Sequence, residues 1–233
     1  MLALLKNAYR SIITHDVELI ALLKLVDKYG RQDRGKSRIL DVGCGYGRNL
    51  AALCSTAHDV LGVDIRDEVV AANKRNGLPC LSVEHFKQTS DTYDIVLMSH
   101  VIEHFAPLEL MEFLDSYLDR LKIGGRLIIA TPLMSNYFYD DFDHIKPYQP
   151  IGIIAVFGSD CAQVQYASRN KLALRDIWFR KNYFRFRFRR GKYIKSPVAR
   201  VWQLLEFLSA IVFTLSFHTL GIPVIAKLSQ LAT

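Results

Sequence analysis

Two carboxylates and three glycines in the 233-residue chain have the types and spacing to hold a ligand. In Asp41-Val-Gly43-Cys44-Gly45-Tyr-Gly47 the glycines stand at alternate positions behind an acid, and Asp64-Ile65 closes the next apolar run. Glycine permits positive φ and removes the Cβ that would obstruct a molecule lying across the backbone. An acid at the end of the following strand can accept hydrogen bonds from both hydroxyls of a ribose. The glycines alone also fit a tight strand-to-helix turn with no ligand; Asp64 beside them points to a nucleoside. Dinucleotide sites use G-x-G-x-x-G and set a pyrophosphate on the helix N-terminus. Here the pattern is G-x-G-x-G, and Asp41 would repel a pyrophosphate. That carboxylate suits a nucleoside carrying an ammonium and a sulfonium, which is S-adenosylmethionine.

The histidines form a second group. His100-Val-Ile-Glu103-His104 spells H-x-x-E-H, a zinc-peptidase pattern when both histidines share one helical face and a further acid completes the site. His100 instead follows the strand-like run Tyr93–Ser99, so the motif straddles a strand end; zinc hydrolysis is set aside and no metal is expected. Ser99 and His100 then lie beside the sulfonium, while Glu103 and His104 open the next helix, where capping and packing account for them as well as chemistry does. Methyl transfer is an in-line displacement whose main demand is alignment. A base is needed only when a hydroxyl must lose its proton. His100, His104 and His144 are the candidates, with a structural role left open for His144 as a lone loop histidine.

The elements that must position these residues follow from the apolar pattern. Strands are expected over 38–43, 58–65, 79–83, 93–100 and 126–132, with helices over 48–54, 67–77 and within 107–121. Near-continuous apolar strands alternating with helices give βαβ units and a parallel sheet covered on both faces. Apolar positions at helical spacing over 1–30 predict two further helices, ending at Gly30. Beyond Pro132 the rhythm breaks into an aromatic, aspartate- and proline-rich lid, then strand-like segments with a hairpin around Arg180–Asn182.

Asp41–Gly47, Gly62–Ile65, Tyr93–Phe105 and Leu121–Pro132, in this order and spacing, resemble the class I S-adenosylmethionine-dependent methyltransferases. Within them the chain is similar to the branch of ubiquinone-biosynthesis O-methyltransferases and small-molecule or glycan methyltransferases, over Arg38 to Pro132. The resemblance implies an α/β, doubly wound, mostly parallel seven-stranded sheet whose last strand is antiparallel. It implies that Asp41, Gly43, Cys44, Gly45 and Gly47 hold the methionine end, Asp64 and Ile65 the ribose side, and the stretch of Glu84 and His85 the adenine. Some quinone relatives are thought to use an acid and a histidine here for a divalent metal; one Glu-His pair is not taken as a metal site. The expected activity is methyl transfer to an oxygen of a small molecule, a glycan or a lipid-linked intermediate. An RNA methyltransferase and a non-catalytic, membrane-associated binding protein are the alternatives.

Composition bounds the partners. A hydrophobic content of 50% suits one globular domain with an appendage. Cys44, Cys54, Cys80 and Cys161 form no CxxC pair, so neither a zinc site nor a disulfide framework is expected and the setting is cytoplasmic. The opening residues 1–16 read as an amphipathic helix rather than a signal peptide. The net charge of +7 is local: ten Lys or Arg against Asp176 alone lie between Arg169 and Lys192, leaving 20 basic and 22 acidic residues elsewhere. Tyr183–Arg190 alternates aromatic with basic, which in a strand puts Phe184, Phe186 and Phe188 on one face and Arg185, Arg187 and Arg189 on the other. That is either a half-buried edge strand or a surface for phosphate or lipid headgroups; nucleic acid ranks lower, because the aromatics would be core. Phe207–Ala226 carries no Lys, Arg, Asp or Glu, but Gly221-Ile-Pro223 cuts it, favouring a packed or interfacial helix over a membrane span. The expected organisation is a helical cap over 1–35, a cofactor-binding domain over 36–190 with a lid (133–150) and a basic strand pair (170–190), and a C-terminal apolar helical segment over 191–233. Residues 180–220 are the expected contact with an anionic membrane surface, a peripheral placement.

Overall fold

The structure, a computed structural model, describes residues 16–30, 36–135, 138–158, 165–179 and 227–229, together with 198, 201, 204, 205 and 208. The chain divides into two compact units, Leu19–Ile177 with Ala226–Thr233, and Met1–Glu18 with Trp178–Ile225. The site lies in the first.

Its elements run α1 (Val17–Gly30), β1 (Arg38–Val42), α2 (Arg48–Cys54), β2 (Asp59–Asp64), α3 (Asp67–Arg75), β3 (Cys80–Ser82), α4 (Val83–Lys87), β4 (Tyr93–Ser99), α5 (Pro107–Leu118), β5 (Leu121–Ala130), α6 (Pro150–Phe157), β6 (Ala173–Asp176) and β7 (Lys227–Ser229). The main sheet has the order β3-β2-β1-β4-β5, every pair parallel. Strand order reverses between β1 and β4, and a crevice opens beyond the carboxyl ends of such strands.

Alternate strand residues feed two cores, as a doubly covered sheet requires. Leu40, Val42, Val96, Met98, Leu127 and Ile129 pack with Leu110, Leu114 and Leu118 of α5 on one face. Ile39, Ile95, Leu97 and Ile128 pack with Leu22 and Val26 of α1 and with Leu50 and Leu53 of α2 on the other. Truncating one of these fully buried leucines to alanine costs about 2–5 kcal/mol. Pro107 at the first helical position and the Glu109 carboxylate, which accepts from Ala106 N at 3.2 Å, start α5. Both fix where the segment after β4 turns back under the sheet.

Among the described residues the sheet has five parallel strands, not the expected seven. The chain leaves it after β5 at Pro132, which lacks an N–H for a ladder, and goes on into the lid and α6. β6 and β7 pair antiparallel with each other as a separate two-stranded sheet, and β7 lies beside β5. Two short helices had no forecast. Ser82 caps α4, its Oγ accepting from His85 N, and Pro150 starts α6. Residues 1–15, the hairpin and basic ribbon of 180–190, and most of the C-terminal apolar segment lie outside the described residues. Among the described residues no helix is long and apolar enough to cross a membrane.

Candidate active site

The turn after β1 is built by its glycines. Gly43, Gly45 and Gly47 have φ of 68°, 53° and 83°, in the left-handed region that side chains disfavour. Gly43 N and Cys44 N both donate to Val63 O, at 2.8 and 3.1 Å, which ties the turn to the end of β2. A Cβ on Gly43 would stand 2.5 Å from Val101 Cγ2, and one on Gly47 2.5 Å from Asn73 Oδ1; above Gly45 nothing lies within 4 Å. Packing therefore demands the outer two glycines. The middle one faces open space, where a ligand can reach the backbone.

Asp64 is buried at the end of β2. Its Oδ2 accepts from Gly45 N at 2.9 Å and its Oδ1 from Arg66 N at 3.0 Å, so the acid braces the turn and keeps lone pairs for a diol. The Arg66 guanidinium lies over the Tyr46 ring, 5.6 Å from its centroid, at the same rim. Asp41 is buried behind the turn with Oδ2 unpartnered. Burial, and then the charge of Asp64, push its carboxyl up to about 7.

The cleft has a volume of ≈ 1660 Å³. Small-molecule pockets run to about 300–1,000 Å³, so this one has room for two ligands side by side. Of the expected residues, Gly43, Cys44, Gly45, Gly47, Asp64, Ile65, Ser99, His100 and His104 line it. Asp41, Glu84 and His144 are not among the lining residues: α4 leaves Glu84 exposed, and Val83, Phe86 and Lys87 face the cleft instead.

His100 has φ 57°, the one positive φ of a non-glycine residue among those described. Such a conformation costs free energy, and its hydrogen bond from His100 N to Ala130 O at 2.8 Å helps hold it. His100 Nδ1 lies 3.3 Å from Glu103 Oε1, within ion-pair reach but off the hydrogen-bond axis. Glu103 is completely buried, and its Oε2 accepts from Thr131 Oγ1 at 3.1 Å. A run from Thr131 through Glu103 to His100 thus joins the ends of β5 and β4.

The lid is pinned to the same residue. Ile145 N and Lys146 N both donate to Glu103 O, at 2.8 and 3.2 Å. His104 Nδ1 meets Asp143 O at 3.1 Å, and His144 Nδ1 meets Phe138 O at 2.7 Å. A carbonyl only accepts, so both imidazoles carry their proton on Nδ1 and leave Nε2 as the basic nitrogen. Ligand atoms of Glu103, His104 and His144 all lie within 4.8 Å of one another, a group that can hold a metal ion. Expecting no metal followed from reading one Glu-His pair; the third donor arrives from the lid. The sequence leaves Glu103 evenly between packing and chemistry and holds no forecast for Thr131. Glu103 stood visibly beside His104, whereas nothing marks Thr131 except its place at the end of β5.

A family profile described as a methyltransferase domain matches residues 13–196. Curated relatives include the ubiquinone biosynthesis O-methyltransferase of Rhizobium etli (strain CIAT 652), 29% identical over 102 residues that cover 40% of this chain and 40% of that protein. The mitochondrial ubiquinone biosynthesis O-methyltransferase of Homo sapiens is 35% identical over 106 residues, 40% of this chain and 28% of that protein. The chain therefore matches less than half the length of either relative. A solved S-adenosylmethionine-dependent methyltransferase from Archaeoglobus fulgidus shares the fold with a TM-score of 0.53, at 20% identity and over 96% of both chains.

Proposed function

The chain belongs to the methyltransferase-domain family, within the class I S-adenosylmethionine-dependent enzymes, and from that premise we propose that it methylates an oxygen of a small-molecule acceptor, with His100 as the general base. The carrying observation is one cleft holding both halves of such a site: the open Gly45 backbone braced by Asp64, and His100 backed by a buried carboxylate. The residues fit the cofactor, since a side chain at Gly45 would fill the space a ligand needs, while Asp64 retains acceptor capacity for ribose hydroxyls. When bound, S-adenosylmethionine supplies a methyl carbon on a cationic sulfur, an electrophile with a neutral leaving group.

The chain's own work is alignment and proton removal. Glu103 Oε1, 3.3 Å from His100 Nδ1, gives the ring an electrostatic partner on that side, which leaves Nε2 to take the acceptor's hydroxyl proton as the oxygen attacks. The resulting imidazolium sits beside a carboxylate that offsets its charge. Thr131 holds that carboxylate in place from the end of β5. The lid, fastened to Glu103 O by two amides, brings Asp143 and Ile145 to the cleft wall.

A second reading of the same cluster is favoured by the three gathered donors: a divalent cation held by Glu103, His104 and His144 would lower the hydroxyl's pKa in place of a free base. Calorimetry with S-adenosylhomocysteine tests the cofactor half, with micromolar binding expected and no heat refuting it. Zinc or magnesium titration of the same protein, read by thermal shift, separates the two proton routes. Stabilisation lost in His144→Ala supports the cation, and no shift leaves His100 as base.

The acceptor class extends to a glycan or a lipid-linked intermediate presented at an anionic membrane surface through 180–220. The exposed side chains of Val198, Val201, Leu204, Leu205 and Leu208 support that extension. Vesicle flotation with phosphatidylserine liposomes tests it; equal recovery with and without residues 197–233 removes it.

A further inference from the structure

Asn73 of α3 is fully buried and takes part in none of the roles above. A buried amide costs free energy unless its polar atoms are paired, and an apolar residue would be the ordinary choice on the core face of this helix. Its Nδ2 donates to Gly45 O at 2.8 Å and also faces the sulfurs of Cys44 and Cys80, at 3.6 and 3.7 Å. Its Oδ1 is buried without a hydrogen-bond partner, an arrangement that core stability alone does not account for.

Gly45 is consequently gripped by both of its backbone polar atoms. Its N–H goes to Asp64 on β2 and its carbonyl to Asn73 on α3, at the one glycine of the turn whose outer side is open. The Asn73 side chain also occupies the volume that Gly47 leaves, since a Cβ there would come within 2.5 Å of Oδ1.

We propose that Asn73 is a positioning residue for cofactor binding, fixing the Gly45 peptide from beneath so that the turn is already in its ligand-bound form when empty. The inference rests on the cofactor half of the function proposed above. It concerns preorganisation: a turn that must be ordered on binding subtracts that cost from affinity. Removing the one side-chain donor to Gly45 O returns this freedom to the free protein.

The test uses the full chain with Asn73→Leu, Asn73→Ala and Asn73→Asp, each measured by calorimetry with S-adenosylhomocysteine and by urea unfolding. Asn73→Leu keeps the branched shape and removes the orphaned oxygen, so its unfolding midpoint is expected to hold or rise. Its Kd is expected to weaken about ten-fold, the equivalent of one hydrogen bond at about 1.4 kcal/mol. Asn73→Ala should weaken binding similarly, and Asn73→Asp, which cannot donate and adds an anion beside a carbonyl, should weaken it more. Affinity lost without loss of stability in Asn73→Leu is the signature that a purely structural role would not produce. Wild-type affinity in the folded variants overturns the inference, as does a parallel loss of affinity and stability, or loss of the fold, in all three. A wild type that binds no S-adenosylhomocysteine overturns the cofactor reading itself, and this inference with it.

Discussion

Asp41 makes the free protein's stability depend on pH in a direction opposite to that of an ordinary carboxylate. Its usual value is 3.8, and in the fold burial and the neighbouring Asp64 raise it to about 7. For an acid raised in this way, the folded chain holds a proton that the unfolded chain has released. Below the unfolded value both states are protonated and nothing is lost. As pH rises from there to about 7, stability falls by up to about 1.4 kcal/mol per unit, and above it the penalty is constant. With values of 3.8 and about 7, the penalty is roughly 2 kcal/mol at pH 5 and roughly 4 kcal/mol at pH 8. Asp41→Asn cannot ionise, so subtracting wild type from variant cancels the titrating groups that do not interact with Asp41. Urea unfolding at the two pH values should show that difference, variant minus wild type, growing by roughly 2–3 kcal/mol between pH 5 and pH 8. A difference that stays constant with pH would mean Asp41 ionises normally and that its unpartnered oxygen has found solvent or a donor.

Asp64→Ala removes the acceptor for both Gly45 N and Arg66 N; hydrogen bonds to a charged group are worth about 1.5–3 kcal/mol, so S-adenosylhomocysteine affinity should fall by about 10- to 100-fold in calorimetry. Gly47→Ala forces a side chain into φ 83° and against Asn73 Oδ1, and should lower stability by about 1–3 kcal/mol in urea unfolding. In an Asn73→Ala background the part of that loss due to Asn73 Oδ1 should vanish while the approach to Leu78 Cδ1, at 2.7 Å, remains, so the pair is non-additive. Asp115 is buried, and Ser168 Oγ and Asn170 Nδ2 donate to its Oδ1; Asp115→Ala should cost about 1–3 kcal/mol of stability while leaving S-adenosylhomocysteine affinity unchanged.

The parts of this molecule that could be read from the chain are those where one residue's neighbours in sequence are also its neighbours in space. Gly43, Gly45, Gly47 and Asp64 sit at the ends of consecutive strands, so strand length and glycine spacing place them before any packing is known. Ser99 and His100 follow from the same rule at the end of β4. His144 and Thr131 do not. His144 joins Glu103 and His104 only because two lid amides fasten to Glu103 O, and Thr131 reaches Glu103 only because β5 lies beside β4. Glu84 went astray for a local reason: Ser82 caps a single helical turn, which swings Glu84 outward and brings Val83, Phe86 and Lys87 to the cleft. Among the described residues the sheet stops at five strands: apolar alternation gives way to prolines and aromatics after Pro132, and the later alternating run, 183–190, lies outside the described residues. The cofactor side is thus placed by strand ends and then braced by Asp64 and Asn73, whereas the acceptor side is assembled only by contacts between distant segments. Substitutions in the lid should accordingly alter which acceptor is used while leaving S-adenosylhomocysteine binding intact, because among the described residues no lid residue takes part in bracing the Gly43–Gly47 turn.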